Sequence, residues 1–504
     1  MVLLLLIASL SSVIFFLLLL LLLLPKSKQN QALRPPPGPR GLPLIGNMFQ
    51  FKPSNSHIYF SNLGKTYGSI FTLGLMGKSM VVIQSAELAK EVLQKQDENF
   101  CSRPQTAGRK KLSYNGLDIA LSPYSEYLKE IKKVLVVNLL SSKNVDSFAP
   151  IRQEEVSRLI QKVSSLSFAS KTVNLSQLVL NYAASNASRI TFGKRYDDED
   201  VFGSRYWSLL HEAEYMFTTF FFSDYIYLGG WIDKLTGQYS RLEKTFKDLD
   251  AIYDKIIDDH LHAIKLKSEQ HDIVDVLLRL MNDTSFPFKL TIHHIKAILM
   301  NLFSGGANTT TAGVIWTLTE LMKNPIPMKK VQEELRKAVL NTGCITKLDL
   351  SKLEYFKAVI KESLRLHPPA PLLIPRETTR KTNINGYDIL PKTIVVLNGW
   401  AIGRDPKYWM DPDIFMPERF LGSSMDLMGM TMIPFGGGRR MCPASAFGLA
   451  NLELALANLL FSFDWELPAG LNKDDIDTNV LPGLVTHKEK ELCLIAKKFE
   501  FAGK

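Results

Sequence analysis

Cys442 carries more potential chemistry around it than any other residue of the chain. It lies near the end of the run 434–444, PFGGGRRMCPA, in which three glycines let backbone approach a flat ligand closely. Arg440 offers a cation two residues before it, and a helix beginning after Pro443 would aim its N-terminal amides back at the thiol. Amides and a helix N-terminus lower a thiol's pKa and favour the thiolate, so the run makes a cradle for the thiolate ligand of a soft metal. For an isolated cysteine, a core thiol beside a glycine turn would be the better reading; Phe435, Gly438, Arg440 and Cys442 together favour the ligand. A second constellation is KESLR over 361–365, where Glu362 and Arg365 stand three apart and share a helix face. Alone, such a pair is usually solvated. The third is Gly305-Gly306-Ala307-Asn308-Thr309-Thr310 inside a long helical pattern. Two glycines there cost about 1 kcal/mol each relative to alanine, which predicts a local opening of the helix.

These groups need elements to hold them. Apolar residues recurring at three- and four-residue intervals predict helices over 86–95, 125–139, 151–164, 242–266, 291–323, 327–340 and 444–461. Short β-like runs cover 69–75, 79–83, 384–389 and 393–398. No repeat or long linker divides the chain beyond residue 50. The expected body is one large domain, mainly α with a minor β-sheet region.

With 504 residues, 46% of them hydrophobic and 22% charged, the composition excludes a disordered or collagenous chain. The net charge of +10 invites a polyanion, but Lys26, Lys28, Arg34 and Arg40 supply four of those charges before any Asp or Glu appears. The rest is spread thinly, without the basic runs of a nucleic-acid stripe. No nucleic-acid partner is expected. Residues 1–24 are uncharged, with Ser9, Ser11 and Ser12 as the only polar side chains and eight leucines at the end. As a helix they would reach about 36 Å, enough for a hydrocarbon core of about 30 Å. The basic start, shorter apolar run and small-residue cleavage site of a signal peptide are missing, so a retained transmembrane anchor is expected. Lys26, Lys28 and Arg34 then keep the following chain cytosolic. Four cysteines in so long a chain make no disulfide framework, consistent with a reducing compartment. Residues 25–45, with PPPGP at 35–39, read as a basic and proline-rich, semi-rigid hinge.

The run PFGGGRRMCPA resembles the signature of the cytochrome P450 haem-thiolate monooxygenases, Phe-x-x-Gly-x-Arg-x-Cys-x-Gly, at every fixed position but the last, where Ala444 stands for glycine. The resemblance implies the fold of that family over 46–504, haem b as cofactor, Cys442 as axial ligand of the haem iron, Arg440 as partner of a haem propionate, and Phe435 and Gly438 around them. KESLR matches Glu-x-x-Arg, and FMPERF at 415–420 adds Arg419, implying a structural triad of Glu362, Arg365 and Arg419. Arg376 in LLIPRET matches a propionate contact. In PYSEYLKEIKKV (123–134), Leu128 and Lys132 replace the tryptophan and second arginine of Trp-Arg-x-x-Arg, so Lys132 keeps a charge for a propionate and loses the bidentate fork.

The glycine-rich helix resembles the family's distal helix. Thr309 matches the threonine that helps deliver protons to dioxygen, while Asn308 stands where an acid is expected. An amide orients water but cannot cycle a proton near neutral pH. Water with Thr309 can suffice for monooxygenation, and the alternatives are rearrangement, dehydration or coupling chemistry, or a catalytically silent haem scaffold. Substrate-pocket regions implied by the resemblance are 103–121, Phe217, Phe220, Phe221 and Phe222, the distal helix to Gly305, 370–374 with Leu372, and 481–485 with Leu484. All are apolar or nearly so, which implies a small lipophilic substrate; core or membrane-facing surface is an equal reading for the phenylalanines. Lys129, Lys133, Arg439 and Arg440 are expected to cluster on a face that docks an NADPH-dependent flavoprotein reductase. No dinucleotide fingerprint follows a predicted strand, so NADPH is used through that partner. The proline hinge and both long motifs look most like the plant microsomal A-type group of specialised metabolism, implying the endoplasmic-reticulum membrane, single-pass, with the catalytic domain in the cytosol.

Overall fold

The computed structural model describes residues 10–12, 14, 33–50, 55–195, 201–263, 272–283, 288–339, 344–422, 427 and 429–500. Most of the expected anchor over 1–24 and most of the hinge's basic segment lie outside these residues; Leu10 and Ile14 are helical and exposed. Among the described residues, the helix long and apolar enough to cross a membrane is Ser445–Ser462, and 61% of it is buried inside the protein. An all-round apolar helix inside a large domain is a core helix.

The helices that carry the argument are α1 (Ala86–Lys90), α2 (Glu126–Asn138), α3 (Leu175–Phe192), α4 (Val201–Thr218), α5 (Ile292–Lys323), α6 (Glu354–Leu366) and α7 (Ser445–Ser462). Local chemistry sets their ends. Ser125 accepts the Leu128 amide to start α2, and Asn174 accepts the Gln177 amide to start α3, which stops at Gly193 with φ 67°. Thr291 and His294 form a capping box at the head of α5, and Pro325 opens the next helix just past its end. At 32 residues α5 runs about 48 Å and crosses the whole domain. It packs on α3, α6 and α7, and nearly all of 307–321 is buried.

The strands form three small sheets. In the largest, β1 (Ile70–Leu75) and β2 (Lys78–Ile83) pair antiparallel in the register Ile70 to Ile83, turning at Met76-Gly77 with positive φ at both. The others are β3 (Val173–Asn174), β4 (Arg376–Glu377), β5 (Thr382–Ile384), β6 (Tyr387–Ile389), β7 (Ile394–Leu397), β8 (Phe463–Glu466) and β9 (Cys493–Lys498). β7 joins β2 in parallel, and β4 pairs with β7 through Arg376 opposite Val395, giving the order β1-β2-β7-β4. A second sheet has the order β3-β9-β8.

Two expectations change. The run 384–389 is not one strand: Asn385 and Gly386 take φ 51° and 80° and fold β5 back on β6, as Asn-Gly does in a two-residue hairpin. The helix over 86–95 is α-helical only to Lys90 and continues as a π turn over Glu91–Lys95.

Candidate functional site

The cysteine loop is built from backbone up. Gly438 has φ 63°, and a Cβ on it would lie 2.3 Å from the Leu93 carbonyl oxygen and 2.4 Å from Asp97 Oδ1, so only glycine fits. The Cys442 amide donates to the Phe435 carbonyl at 3.0 Å and the Met441 amide to Gly438 at 3.0 Å, closing the loop on itself. Asp97, buried in the turn Asp97–Asn99, clamps it from outside: its carboxylate accepts the Arg439 amide at 2.9 Å and Arg376 Nη1 at 2.9 Å. Sequence reasoning missed Asp97, because nothing in a lone acid of a short polar turn announces a tertiary clamp.

At the sulfur, burial pushes the Cys442 thiol up, while the Ala444 amide and the Lys132 ammonium pull it toward thiolate. Lys132 Nζ, half-buried on α2, donates to the carbonyls of Arg439 at 2.7 Å and Met441 at 3.1 Å. Its ammonium thus holds the loop. Leu128, one turn back, is buried in the core.

Beside this loop lies an excess of buried positive charge. Arg376, carried by β4, donates to Asp97 and to the Gly437 carbonyl at 2.7 Å. Arg440 donates to the carbonyls of Cys101 and Ser122, each at 2.6 Å, and Arg103 donates to those of Ala120, Ile374 and Pro375. All three guanidiniums are buried. Burial lowers Arg440 to about 10, with the Arg376 charge adding to the effect. Arg103 is lowered by burial, then by Arg440 and Arg376. Among the described residues, Asp97 and Asp118 face them as buried acids, and burial lifts Asp118 to about 6. Three buried guanidiniums against two buried carboxylates leave positive charge in excess, and uncompensated buried charge is costly, so a carboxylate-bearing ligand fits this place. The haem propionates are such carboxylates, and a guanidinium has more N–H donors than these bonds use.

On α5, Gly305 and Thr309 share a face. A Cβ on Gly305 would meet no atom within 4 Å, and one on Gly306 would lie 3.8 Å from Phe447, in the first turn of α7 beyond Cys442. The glycine pair therefore brings α5 to the cysteine loop's own helix and leaves open space beside it. Within the helix Thr309 Oγ1 donates to the Gly305 carbonyl at 2.6 Å. No local break follows from the glycines: the α-helix runs unbroken through them, which corrects the expected opening.

Glu362, Arg365 and Arg419 meet in a buried network. Arg365 Nε and Nη2 grip Glu362 at 2.7 and 2.8 Å, Arg419 Nε adds a bond at 3.0 Å, and the Met416 amide adds one at 2.8 Å. Arg365 Nη1 reaches onward to the carbonyls of Gly403 and Pro412, with its guanidinium 5.1 Å from the Trp409 ring centre.

The pocket candidates separate. Leu484 lines a cavity of about 480 Å³ together with Asn308, Glu214, Thr311, Ile315 and His487. Phe217 and Phe221 are buried in the main core, with Phe221 against the helix at Gly108. Phe220 stacks on Tyr225 with Phe222 edge-on, and Leu372 packs against the Phe60–Phe71 cluster. None of these five residues lines the cavity. The cavity is not wholly apolar: Glu214, His211, His487, Lys488, Glu489 and Glu491 also border it. Arg440 is buried, so of the expected basic face only Lys129, Lys133 and Arg439 are exposed.

Comparison with known proteins gives the following. The family model for cytochrome P450 matches residues 36–494. The chain is 44% identical over 484 residues to 6,7,8-trihydroxycoumarin synthase of Pastinaca sativa, covering 94% of this chain and 95% of that protein. It is 42% identical over 475 residues to strychnine-11-hydroxylase of Strychnos nux-vomica, covering 94% and 93%. A solved zebrafish cytochrome P450 with abiraterone superposes with a TM-score of 0.74 at 24% identity, over 88% of this chain and 99% of that one.

Proposed function

The chain belongs to the cytochrome P450 family and is a plant A-type monooxygenase, and from that premise we propose that it oxidises a small lipophilic specialised metabolite with dioxygen and electrons from NADPH delivered by a flavoprotein reductase. The observation that carries this reading is the cysteine loop beside its surplus of buried cations. Cys442 would hold the haem iron, with the Ala444 amide and Lys132 favouring its thiolate form. Arg376 and Arg440 would take the propionates, relieving their own repulsion. Bound haem would supply dioxygen activation at an iron made electron-rich by its thiolate ligand. Thr309 holds a hydroxyl proton at Oγ1 on the open face of α5. Glu362, Arg365 and Arg419 tie α6 to the segment before the loop and touch no reacting atom.

Residues 1–24 act as a single-pass anchor in the endoplasmic-reticulum membrane, 25–45 as hinge, and 46–504 as the cytosolic catalytic domain. The names of relatives support an aromatic or polycyclic substrate: a trihydroxycoumarin, 5-OH-xanthotoxin and hydroxylated strychnine are the products they are named for. Lys129, Lys133 and Arg439 offer the exposed charges for an acidic reductase. The test is to supply reductase, NADPH and labelled dioxygen with a panel of coumarins and alkaloids. Labelled oxygen in the product is expected; product formed without reductase, or without label, refutes the proposal.

A further inference from the structure

Position 308 of the distal helix holds an amide, yet the structure sets a carboxyl against it. Glu214 projects from α4, a separate element, and accepts a hydrogen bond from Asn308 Nδ2 at 2.6 Å. The amide's other end, Oδ1, is buried and has no hydrogen-bond partner. Both side chains border the same cavity of about 480 Å³, large enough to hold several waters. On α5 the cavity takes Asn308, Thr311, Ala312 and Ile315, a stripe about 100° round the helix from the face of Gly305 and Thr309. Asn308 lies within that stripe, next along the chain to Thr309, and Ala312 is the stripe's edge nearest the open face.

We propose that Glu214 supplies the titratable proton of this enzyme's distal side, with Asn308 as the positioning residue that holds it. The assignment rests on the monooxygenase reading above. An ionised Glu214 accepts the Nδ2 hydrogen bond and leaves Oδ1 unsatisfied. A protonated Glu214 keeps that bond and also carries the O–H that Oδ1 lacks, as acid and amide pair reciprocally. The transfer is a simple proton loss: the Oε–H bond breaks, a cavity water takes the proton, and the carboxylate left behind is held by Nδ2 until water from outside returns a proton.

The surroundings suit a carboxyl that works near neutrality. Burial raises Glu214 to about 7, with the Asn308 bond offsetting part of the rise. Group by group, the other ionisable neighbours leave it free to titrate. His487 is lowered to about 4 by burial and is neutral. His211, three residues back on α4, is lowered by burial. Lys488 is held by Asp477 at 3.0 Å, and Glu491 accepts from Asn174 at 2.6 Å; Glu489 is the remaining charged group at the border. No cation in this lining pins Glu214 in its charged form.

The experiment uses the full-length haem-loaded protein. Infrared difference spectra between pH 5 and pH 9 read the carboxyl directly, without turnover. A carboxylic-acid band that titrates near pH 7 and is missing from Glu214→Gln is expected; no such band refutes the proposal. In reductase-coupled turnover, Glu214→Gln is expected to lower product per NADPH at least tenfold, in line with the loss of one positioned proton donor. Its carbon-monoxide spectrum and substrate-induced spectral shift should be unchanged. Moving the acid back in Glu214→Gln with Asn308→Asp should restore coupling to within about threefold, a return that a merely structural Glu214 would not show. Unchanged coupling in Glu214→Gln overturns the assignment while leaving monooxygenation standing. Wild-type product without label from dioxygen would sink the monooxygenase reading itself. If Glu214→Gln fails to load haem, Glu214→Asp serves instead: its band must shift in position with an altered midpoint, and an unmoved band refutes.

Discussion

Glu362→Gln changes one atom and should cost more stability than any other single substitution of a polar side chain considered above. Glu362 is fully buried, and its two oxygens accept four bonds, at 2.7 Å (Arg365 Nε), 2.8 Å (Arg365 Nη2), 2.8 Å (Met416 N) and 3.0 Å (Arg419 Nε). Glutamine keeps one carbonyl oxygen, but its NH2 group would face a donor, whichever way it is turned. It also removes the only carboxylate paired with Arg365, itself 1% exposed. Removing one partner of a buried pair costs about 3–5 kcal/mol, whereas exposed pairs are worth about 0–1 kcal/mol. The expected loss is therefore roughly two to four powers of ten in the folded-to-unfolded ratio. A large haem protein tends to unfold irreversibly, so the assay is the urea concentration that halves the carbon-monoxide thiolate absorbance at a fixed incubation time. Glu418→Gln, which breaks the exposed pair with Lys330 at 2.6 Å, is the control. If Glu362→Gln resists urea as well as Glu418→Gln does, the buried network does not bear on stability and the reasoning fails.

Cys442→Ser should abolish the thiolate-type carbon-monoxide spectrum, because a hydroxyl cannot stand in for the sulfur; a normal spectrum would refute the ligand assignment. Gly438→Ala and Gly386→Ala both put alanine at positive φ, but only the first places a Cβ 2.3 Å from a backbone oxygen while the second meets nothing within 4 Å, so haem content after expression should fall several-fold in Gly438→Ala relative to Gly386→Ala. His260, 2.9 Å from Asp272, is opposed by burial, but the Asp272 bond and charge outweigh it and its pKa is raised. A raised histidine gives stability that is full below its ordinary value of about 6.5 and lost as pH rises through the folded value. Asp272→Asn should therefore cost more urea resistance at pH 6 than at pH 9; an equal cost at both would show that His260 stays neutral.

Much of the architecture was legible because it rests on local rules. Helix periodicity placed α5 and α7 to within a residue or two, since capping at Thr291 and proline at 325 mark α5's ends. The strands β8 and β9 were not legible: each is four to six residues long, and what makes them strands is pairing between Trp465 and Ala496, distant in sequence. The same limit applies to the site. Motif spacing brought forward Cys442, Glu362, Arg365 and Thr309, because each lies in a run whose neighbours share its task. Asp97 and Glu214 have no such neighbours. Each meets its partners only through tertiary approach, Asp97 to Arg376 and Arg439 and Glu214 to Asn308, and nothing in a single sequence encodes which distant carboxyl will arrive.

Lys132 shows how a substitution within a motif can alter a task rather than weaken it. Read from its position, it was a poorer arginine for a propionate. In the structure its ammonium donates to two carbonyls of the cysteine loop and sits close enough to Cys442 to favour the thiolate. A planar guanidinium could not place the same compact charge between the Arg439 and Met441 carbonyls without reorienting its whole fork. The lysine thus reaches both the backbone of the cysteine loop and the neighbourhood of its sulfur. Arg376, Arg440 and Arg103 stand beside the loop, and all three are buried, so positive charge remains in surplus there. What position 132 lacks in a fork it supplies as a tie, two hydrogen bonds that fasten α2 to the cysteine loop.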